Sequence, residues 1–413
     1  MPLSLADLTH AVVNDAAVRR RRTLQPVGGP GDTLFPPTYP GEEKNDPPRH
    51  VFERRRIGGS DVWCVLIDSV QSQANRMEET LLEAARDTEN PIPLPRLTVD
   101  FAGAGLETVG EITSLEAPHR VFDAILRDSL LDGTPFKDSP VGQRLALATS
   151  RDASAILETS PTSLLFGVWN STGEGGGLGA KFPRAIVSEI IGVGVSVENT
   201  AIRRRDAPPD VQTSNRRTGS RIDPLGILRA VEVYRGANGW DVSEKAAGKG
   251  AKKARPSEIN HGNIAPSVQA LGVTCDRAEQ TVVITLAGLR RLRFGGPTER
   301  DTAGRTLIAA LGLVALLEQD AQGYALRSRC DLVCDGPAPL EIVHADGEVQ
   351  PVTLTREEAR ALYAEAVKAA EAAGFTLSPE PVRLTPQDKL VHIVRESMHR
   401  ALAGEAHPNE GDA

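Results

Sequence analysis

The chain has 413 residues, a hydrophobic content of 40% and a formal net charge of -8. This length is sufficient for two or three structural units, and the net charge excludes a uniformly basic nucleic-acid coat. No apolar run approaches the roughly 18 residues that cross a bilayer, and the first residues lack the pattern of a secretory signal. Four cysteines are too few for a disulfide scaffold at this length. We therefore expect a cytoplasmic protein with no membrane partner.

The first 60 residues are predicted to form an N-terminal arm after a short helix-like start. The segment "QPVGGPGDTLFPPTYPGEEKNDPP" contains too much Gly and Pro for a helix or a central strand. Residues 61–68 are predicted as the first strand. The helical spacing of Ala74, Met77 and Leu81 predicts that a helix follows. Residues 61–198 would then be the first part of the main domain.

Four further elements are predicted before residue 198. The segments "PRLTVDF" and "TVGEITSLEAPHR" are typical of a pair of strands, and "RVFDAILRDSLL" is predicted as a helix that begins near His119 and Arg120. The run "SLLFGVWNST" is predicted as an apolar strand that ends in a Gly-rich loop. Strands and helices therefore alternate along this part of the chain.

Two polar, basic insertions are predicted at 199–225 and 226–270. Seven arginines face three aspartates between Ala201 and Arg229, and four lysines and one arginine face one glutamate between Ser243 and Arg255. Both segments have almost no apolar periodicity. The stretch "GKGAKKARPS" is the most disorder-prone of the chain.

Residues 271–403 are predicted to complete the main domain. "QTVVITLAGLRRLRF", "ALRSRCDLVC" and "LEIVHA" are predicted strands, and "DTAGRTLIAALGLVALLEQDA" is a predicted buried helix. The capping box of Thr355 and Glu358 begins another helix, which ends before Gly374. The acidic tail 404–413 is predicted to be disordered. The alternation indicates an α+β fold, whose sheet order cannot be read from the sequence.

Catalytic and metal-binding patterns are mostly missing from the sequence. There is no G-x-S-x-G or H-E-x-x-H, and "GEGGGLGAKF" lacks the Gly-Lys-Ser/Thr ending of a phosphate loop. Cys330 and Cys334 have no second Cys/His pair nearby, so we predict buried free thiols. We expect no enzyme activity, metal or cofactor. A metal-independent endoribonuclease with His119 or His261 as general base remains the alternative.

Donor-rich segments suggest a different chemistry, the binding of a phosphodiester chain. Such a chain is held by cationic side chains, amide and hydroxyl donors and backbone N–H groups. "DSVQSQANR", "NSTGEGGGLGAK" and "NRRTGSRIDP" offer these groups, and "RRRR" at 19–22 and "LRRLRF" at 289–294 add basic clusters. Each segment alone fits a helix cap, a turn or a solvated loop. Together they predict contact with a sugar–phosphate backbone, with little base stacking because aromatics are only 4%.

Five segments that occur in order carry a resemblance to a known family. They are "GGPGDTLFPPTYPG", "DSVQSQANRMEE", "APHRVFDAILRDS", "LLFGVWNSTGEGGGLGAKFPRAIVSEIIG" and "GSRIDPLGI". They resemble the backbone subunit of Cascade, the type I-G (formerly I-U) CRISPR surveillance complex, which belongs to the RAMP superfamily. The similarity runs from about residue 20 to the C-terminal helices.

The resemblance implies a modified RRM-like (ferredoxin-like) palm with finger and thumb insertions. It also implies a ribonucleoprotein of antiviral defence, in which copies of the subunit lie side by side along a CRISPR guide RNA. They would present the spacer to target DNA while other subunits of the complex carry out cleavage. The implied partners are guide RNA, target DNA, further copies of this chain and those subunits. A pure assembly scaffold, whose polar loops contact proteins, is a further alternative.

The resemblance also implies a set of RNA contacts. The segment 199–225 would be the thumb, and 226–270 a finger or a DNA-facing loop. The implied contacts are Ser69, Gln71, Ser72, Gln73, Asn75 and Arg76 beside the first palm strand; His119 and Arg120; Asn170, Ser171, Thr172, Gly176, Gly177, Gly179 and Lys181 in the Gly-rich loop; Arg216, Arg217, Ser220 and Arg221 in the thumb; and His261 and Asn263 in the second insertion.

Overall fold

The computed structural model describes residues 2–40, 49–171, 179–195, 217–221, 231–259, 264–269 and 272–402. At 217–221 and 264–269 only the backbone is described. The chain forms two compact units. The large unit comprises Met1–Pro30, Leu66–Val193 and Asp276–Ala413, and the small unit comprises Gly31–Val65 and Gly194–Cys275. Within the described ranges, no helix is both long and apolar enough to span a bilayer.

The described elements are twenty-one strands and eleven α-helices. The strands are β1 (Ala17–Pro26), β2 (Phe52–Ile57), β3 (Ser60–Asp68), β4 (Leu97–Asp100), β5 (Glu111–Thr113), β6 (Ser129–Leu131), β7 (Thr134–Pro135), β8 (Val168–Trp169), β9 (Lys181–Phe182), β10 (Ile186–Val193), β11 (Arg217–Arg221), β12 (Val233–Gly236), β13 (Gly239–Asp241), β14 (Lys252–Ala254), β15 (Ile264–Gln269), β16 (Arg277–Thr285), β17 (Tyr324–Arg327), β18 (Cys330–Cys334), β19 (Leu340–Val343), β20 (Val349–Val352) and β21 (Val382–Pro386). The helices are α1 (Leu5–Asn14), α2 (Val70–Arg86), α3 (Ala124–Arg127), α4 (Pro140–Ala146), α5 (Ser154–Thr159), α6 (Pro161–Phe166), α7 (Glu244–Ala247), α8 (Leu286–Leu289), α9 (Thr298–Gln322), α10 (Arg356–Ala372) and α11 (Asp388–Leu402).

An antiparallel sheet forms the centre of the large unit. Its strand order is β17-β18-β1-β16-β10 and then β3, whose last residues, Leu66–Asp68, belong to this unit. Alternate residues of β16 are buried, which is the period-two pattern of a strand with one face on a core. A second sheet of the unit has the order β5-β4-β21-β6-β7. The α+β class predicted from the sequence is confirmed.

Helix α9 is the central helix of the core, as its apolar sequence predicts. Its residues from Thr306 to Leu316 are all buried. Gly312 lets the helix approach the sheet closely, because a Cβ there would lie 3.0 Å from Cδ1 of Ile284. Helices α2 and α10 pack against α9. The predicted capping box is confirmed at α10, where the Thr355 side chain accepts from the N–H of Glu358.

Three sequence predictions of secondary structure are wrong in part. The predicted strand 280–294 ends at Thr285 and continues as α8. The predicted strand 163–172 begins inside α6, and only Val168–Trp169 of it form a strand, because a short apolar run fits a buried helix equally well and Pro161 suits a first helical turn. The helix predicted from His119 onwards is instead a 3-10 turn at Arg120–Phe122, then α3 and β6. The side chain of Asp123 accepts from the N–H of Ile125 and begins a new helix there.

The arginine run 19–22 is only in part an exposed basic cluster, because Arg21 alone among its four side chains is exposed. It lies in β1, inside the predicted arm 1–60, where successive side chains point to opposite faces of the sheet. Arg20 is 1% exposed and donates to Asp320 and to Oε1 of Gln280, at 3.0 Å from the latter. Arg22 pairs with the same aspartate at 2.9 Å. These charges are neutralised inside the fold and do not bind an external anion.

Arginines of the second predicted basic cluster, 289–294, also bind partners within the protein. Arg290 donates to the carbonyl oxygens of Val12 and Asp15, at 3.0 and 2.7 Å. Arg293 pairs with Asp301 at 2.9 Å. At least two of its arginines therefore stabilise the fold.

None of the four cysteines, all of which the structure describes, forms a disulfide. Cys330 is buried as predicted, but Cys334 is exposed, so that part of the prediction is wrong. Cys334 ends β18, and its Sγ lies 3.3 Å from Nη1 of Arg22. The burial of β18 stops before this last residue of the strand.

The described part of the small unit contains a hairpin, a second pair of strands and a three-stranded sheet, all antiparallel. Strands β2 and β3 form a hairpin through Gly58 and Gly59, both at positive φ. Strand β11 pairs with β15, and β12 lies between β13 and β14. The disorder-prone stretch 248–257 contains β14. Assigning 199–225 to a thumb and 226–270 to a finger stays a prediction, and the tail 404–413 lies outside the described residues.

Candidate nucleic-acid interface

The predicted donor-rich segment forms the beginning of α2. Ser69 is the N-cap, and its Oγ accepts from the backbone N–H of Ser72 at 3.2 Å. Gln71 and Asn75 are exposed and lie one helical turn apart, so their amides share one face of the helix. The cap and the exposed amides therefore belong to different residues of the same segment.

Gln73, in contrast, is fully buried. Its Nε2 donates to Oδ2 of Asp68 at 2.6 Å, and its Oε1 accepts from Ser188 at 2.7 Å and from Gln280 at 3.0 Å. Its relative exposure is 0%. The predicted RNA contact at Gln73 is wrong, because a side chain without exposed surface does not reach an external ligand.

Arg76 is also engaged within the protein. Its Nε donates to Oδ2 of Asp68 at 3.0 Å, and its Nη2 donates to the carbonyl oxygen of Leu326 at 2.6 Å. About a quarter of its side chain is exposed. Arg76 therefore fixes the start of α2. Because its charge is paired with Asp68, it is not a main phosphate ligand.

Arg120 joins α2 to two neighbouring segments. Its guanidinium donates to both carboxylate oxygens of Glu78, each at 2.7 Å, and to the carbonyl oxygen of Gly167 at 2.9 Å. Burial raises the pKa of Glu78, and hydrogen bonds from Arg120 act in the opposite direction. The side chain of Arg120 is 12% exposed. Its main role is to stabilise the fold through the ion pair with Glu78, at the edge of the site.

The Gly-rich loop is described at its two ends. The N–H of Asn170 donates to the carbonyl oxygen of Ala180 at 3.0 Å, next to the β8–β9 pair. Asn170 is buried and Ser171 is exposed, while Gly179 adopts a φ of 71°. Thr172, Gly176 and Gly177 lie outside the described residues.

An exposed tryptophan and lysine lie side by side at this loop. Trp169 and Lys181 are partners in the β8–β9 register, and Nζ of Lys181 lies 4.2 Å from the centre of the indole ring. Trp169 is 51% exposed. A cation over an aromatic face is a favourable contact, and it holds both side chains at the surface.

Two adjoining grooves bring three predicted segments together. The α2 groove, about 550 Å³, runs along α2 past Gln71 and Asn75. The tryptophan groove, about 430 Å³, is lined by residues that include His119, Trp169 and Lys181. Pro118, Arg120 and Arg184 line both grooves. Segments that lie up to 110 residues apart in the sequence therefore form one surface.

The two grooves differ in charge. The lining of the tryptophan groove contains His119, Arg120, Lys181 and Arg184 and no carboxylate. The lining of the α2 groove includes four glutamates at positions 78, 79, 83 and 116. A polyanion would therefore be favoured in the tryptophan groove and at the adjacent end of α2.

The surroundings of Arg184 disfavour its positive charge, and a bound anion would stabilise that charge. It is half-buried, and its Nε donates to the carbonyl oxygen of Phe166 at 3.1 Å. Burial, and then the nearby charge of Arg120, lower the pKa of Arg184. A phosphate in the groove would offset both effects, because an opposite charge favours the protonated guanidinium.

The sequence did not predict Trp169 or Arg184 as residues of the site. Trp169 lies in a run predicted as an apolar strand, and such a run gives no indication of exposure. A bulky aromatic next to the polar "NST" was the available signal. Arg184 occurs alone in "FPR", and only the fold places it beside Arg120.

The remaining predicted contacts belong to the small unit. Arg217, Ser220 and Arg221 lie in β11, where Arg217 is opposite Gln269 and Arg221 is opposite Ile264. Arg216, His261 and Asn263 lie outside the described residues. Their roles stay predictions.

Of the two histidines of the endoribonuclease alternative, only His119 lies within the described residues. The backbone N–H of His119 donates to Oδ2 of Asp123 at 2.9 Å, which fixes the backbone and leaves the exposed ring to turn. In the part of the chain that the structure describes, no group of three or more His, Cys, Asp or Glu side chains could hold a metal ion.

Residues 18–197 match the family model described as CRISPR-associated protein GSU0053 (Cas_GSU0053). The match covers less than half of the chain but includes all residues that line both grooves. Over this range the chain is similar to CRISPR-associated proteins, in agreement with the resemblance found in the sequence.

The crystal structure of Thermofilum pendens Csc2 is also similar, with 11% sequence identity and a TM-score of 0.28. The similarity covers 97% of this chain and 81% of that chain. No curated protein sequence matches the chain.

Proposed function

We propose that this protein is an RNA-binding backbone subunit of a CRISPR surveillance complex. The observation that carries the proposal is the position of the two grooves. They lie within the range that matches a CRISPR-associated family. They join the exposed amides of α2, in a groove that four glutamates also line, to the tryptophan groove, whose lining has no carboxylate. Several copies would lie along one guide RNA and present its spacer for pairing with target DNA. Other subunits of the complex would cleave the target.

The groove chemistry fits the sugar–phosphate backbone better than base edges. Lys181 and Arg184 supply charge for phosphates, and the amides of Gln71 and Asn75 can donate to phosphate or ribose oxygens. One base could stack on Trp169. Few groups remain to read a sequence, and a guide carrier must accept spacers of any sequence.

The central test is the nucleic acid that accompanies the protein through purification from cells that express a CRISPR array. We expect RNA of defined length, with several protein copies per RNA and no shortening on incubation. Protein that carries no RNA and does not bind added guide RNA would contradict the proposal. Shortening of a repeat-containing RNA would favour the endoribonuclease alternative, and self-association without RNA would favour the scaffold.

Binding to guide RNA should weaken steeply with salt. Each neutralised phosphate of a single strand contributes a slope of about -0.7 to the plot of log affinity against log salt. If Lys181 and Arg184 each contact a phosphate, this pair alone should contribute about -1.4 to the slope. A titration of labelled RNA at several salt concentrations measures the slope, and an affinity independent of salt would contradict backbone recognition.

The exposed amides of α2 should contribute to affinity and not to stability. A neutral hydrogen bond contributes about 0.5–1.5 kcal/mol net, so a Gln71→Ala/Asn75→Ala variant should bind guide RNA at least about fivefold more weakly. Urea unfolding should be unchanged. Gln73→Ala is the matched comparison in the same helix, because it should lower the free energy of unfolding by about 1–3 kcal/mol. Equal unfolding losses in both variants would show that Gln71 and Asn75 are structural.

A further inference from the structure

A pocket of the large unit lies apart from both grooves. It is formed where α1, α9 and α10 meet, and its volume is about 360 Å³. Its apolar lining includes Leu5 of α1, Ala303 of α9, and Ala366 and Ala369 of α10. It shares no lining residue with the α2 groove or the tryptophan groove, and we call it the α1 pocket.

Small side chains at helical spacing create the α1 pocket. Leu5 and Thr9 lie one turn apart on α1. Thr298, Thr302 and Thr306 lie at successive turns of α9, and α10 contributes two alanines. Packed helices normally leave few gaps larger than a water molecule. Three helices that meet over Thr and Ala side chains therefore leave room for a further group.

The hydroxyl group of Thr306 lacks a partner in this pocket. Two other threonines of the lining bond to the preceding turn of their own helix: Oγ1 of Thr9 donates to the carbonyl oxygen of Leu5 at 2.7 Å, and Oγ1 of Thr302 donates to that of Thr298 at 3.0 Å. Thr306 is 3% exposed, and its Oγ1 has no hydrogen-bond partner among the described residues. Since an unpaired buried hydroxyl is unfavourable, a ligand that supplied a hydrogen bond there would be favoured.

The charge of the α1 pocket limits what it can bind. Among the residues that line it, Glu299 alone is charged, and its side chain is exposed. A carboxylate repels phosphates and other carboxylates, and it accepts hydrogen bonds from O–H and N–H groups. The pocket therefore favours a neutral or cationic ligand, in contrast to the polyanion favoured by the tryptophan groove.

We propose that the α1 pocket binds a small, mostly apolar molecule that carries one hydroxyl or amine group. The apolar part would contact Leu5, Ala303 and Ala366, and the polar atom would pair with the hydroxyl of Thr306. The volume lies within the range of small-molecule sites, about 300–1,000 Å³, and an apolar cavity of about 150 Å³ is large enough for benzene. Such a ligand would contact three helices at once and would bind independently of RNA.

The test uses the full chain and two probes of nearly the same shape, 4-fluorophenol and 4-fluorotoluene. Fluorine NMR measures the affinity of each probe, and the melting temperature should rise with probe concentration, because a ligand that binds only the folded chain stabilises it. Thr306→Val keeps the shape of the side chain and removes its hydroxyl. It should weaken binding of 4-fluorophenol about three- to tenfold, the effect of one net hydrogen bond, and leave binding of 4-fluorotoluene unchanged.

Two alanines of α10 show whether the probes bind in this pocket. Ala369→Phe fills the pocket and should abolish binding of both probes. Ala361→Phe adds the same ring at an exposed position of the same helix, outside the pocket, and should leave binding unchanged. Thr306→Val should melt at or above the temperature of the parent, because it removes an unpaired buried hydroxyl.

Three results would overturn the proposal. The first is a parent chain that binds neither probe, including the case in which Ala369→Phe loses a purified protein partner, because the pocket would then be a protein contact. The second is an equal change in the affinity of both probes on Thr306→Val, because the hydroxyl would then not select the ligand. The third is binding that persists in Ala369→Phe, which would place the probes elsewhere.

Discussion

A Lys181→Glu variant is expected to lose most of its guide RNA during purification. Lys181 is exposed, and it lines the tryptophan groove, which has no carboxylate in its lining. A hydrogen bond to a charged group contributes about 1.5–3 kcal/mol, and reversing the charge adds repulsion of a nearby phosphate. Affinity for guide RNA should therefore fall by at least about tenfold. The RNA-to-protein ratio after purification and a titration with labelled guide RNA measure the loss.

Lys368→Glu is the matched control for this change. Lys368 is exposed on α10 in the same unit, and it lines neither groove, so its reversal changes the net charge equally without touching the site. Guide RNA retention should stay close to that of the parent. If Lys368→Glu and Lys181→Glu lose RNA to the same extent, the grooves are not the RNA site and binding follows overall charge.

Arg120→Ala is expected to lower the free energy of unfolding by about 3–5 kcal/mol, because it leaves a buried carboxylate without its partner. The side chain of Glu78 is 3% exposed, and both of its oxygens accept from Arg120. The substitution also removes the donor to the carbonyl oxygen of Gly167. Urea unfolding of the purified chain measures the change.

The neighbouring His119 provides the control for this second prediction. His119 is exposed, so His119→Ala should change the free energy of unfolding by no more than about 0.5 kcal/mol. Replacing both members of the ion pair, as in Glu78→Leu/Arg120→Met, should recover part of the lost stability, because no buried charge is left unpaired. An Arg120→Ala variant that unfolds like the parent would show that the pair does not hold α2 in place.

Much of the fold could be predicted from local patterns. The alternation of β16, the apolar sequence of α9 and the capping box of α10 each identify an element without reference to the rest of the chain. Errors occurred where local patterns are ambiguous. A short apolar run such as 163–172, which begins inside α6, fits a buried helix as well as a strand, and only packing decides between them.

The candidate site could be predicted only in part. The sequence identified the start of α2 and the Gly-rich loop as rich in donors, and the resemblance added the pair His119 and Arg120. It could not separate Gln71, which is exposed, from Gln73, which is buried two residues later. Nor could it indicate that Arg120 is bound to Glu78, a residue 42 positions earlier in the chain.

The sequence by itself determined that this protein has an α+β fold and several donor-rich junctions, because helical and strand periodicity and capping are local properties. The tertiary structure alone decided which donors are available. Long-range packing of strands and helices buried Arg20 and Gln73, engaged Arg76 and Arg120 in ion pairs, and brought Gln71, Lys181 and Arg184 to one surface. The physical reason is that a polar side chain binds an external ligand only through donors that the fold has neither buried nor already paired with an internal acceptor.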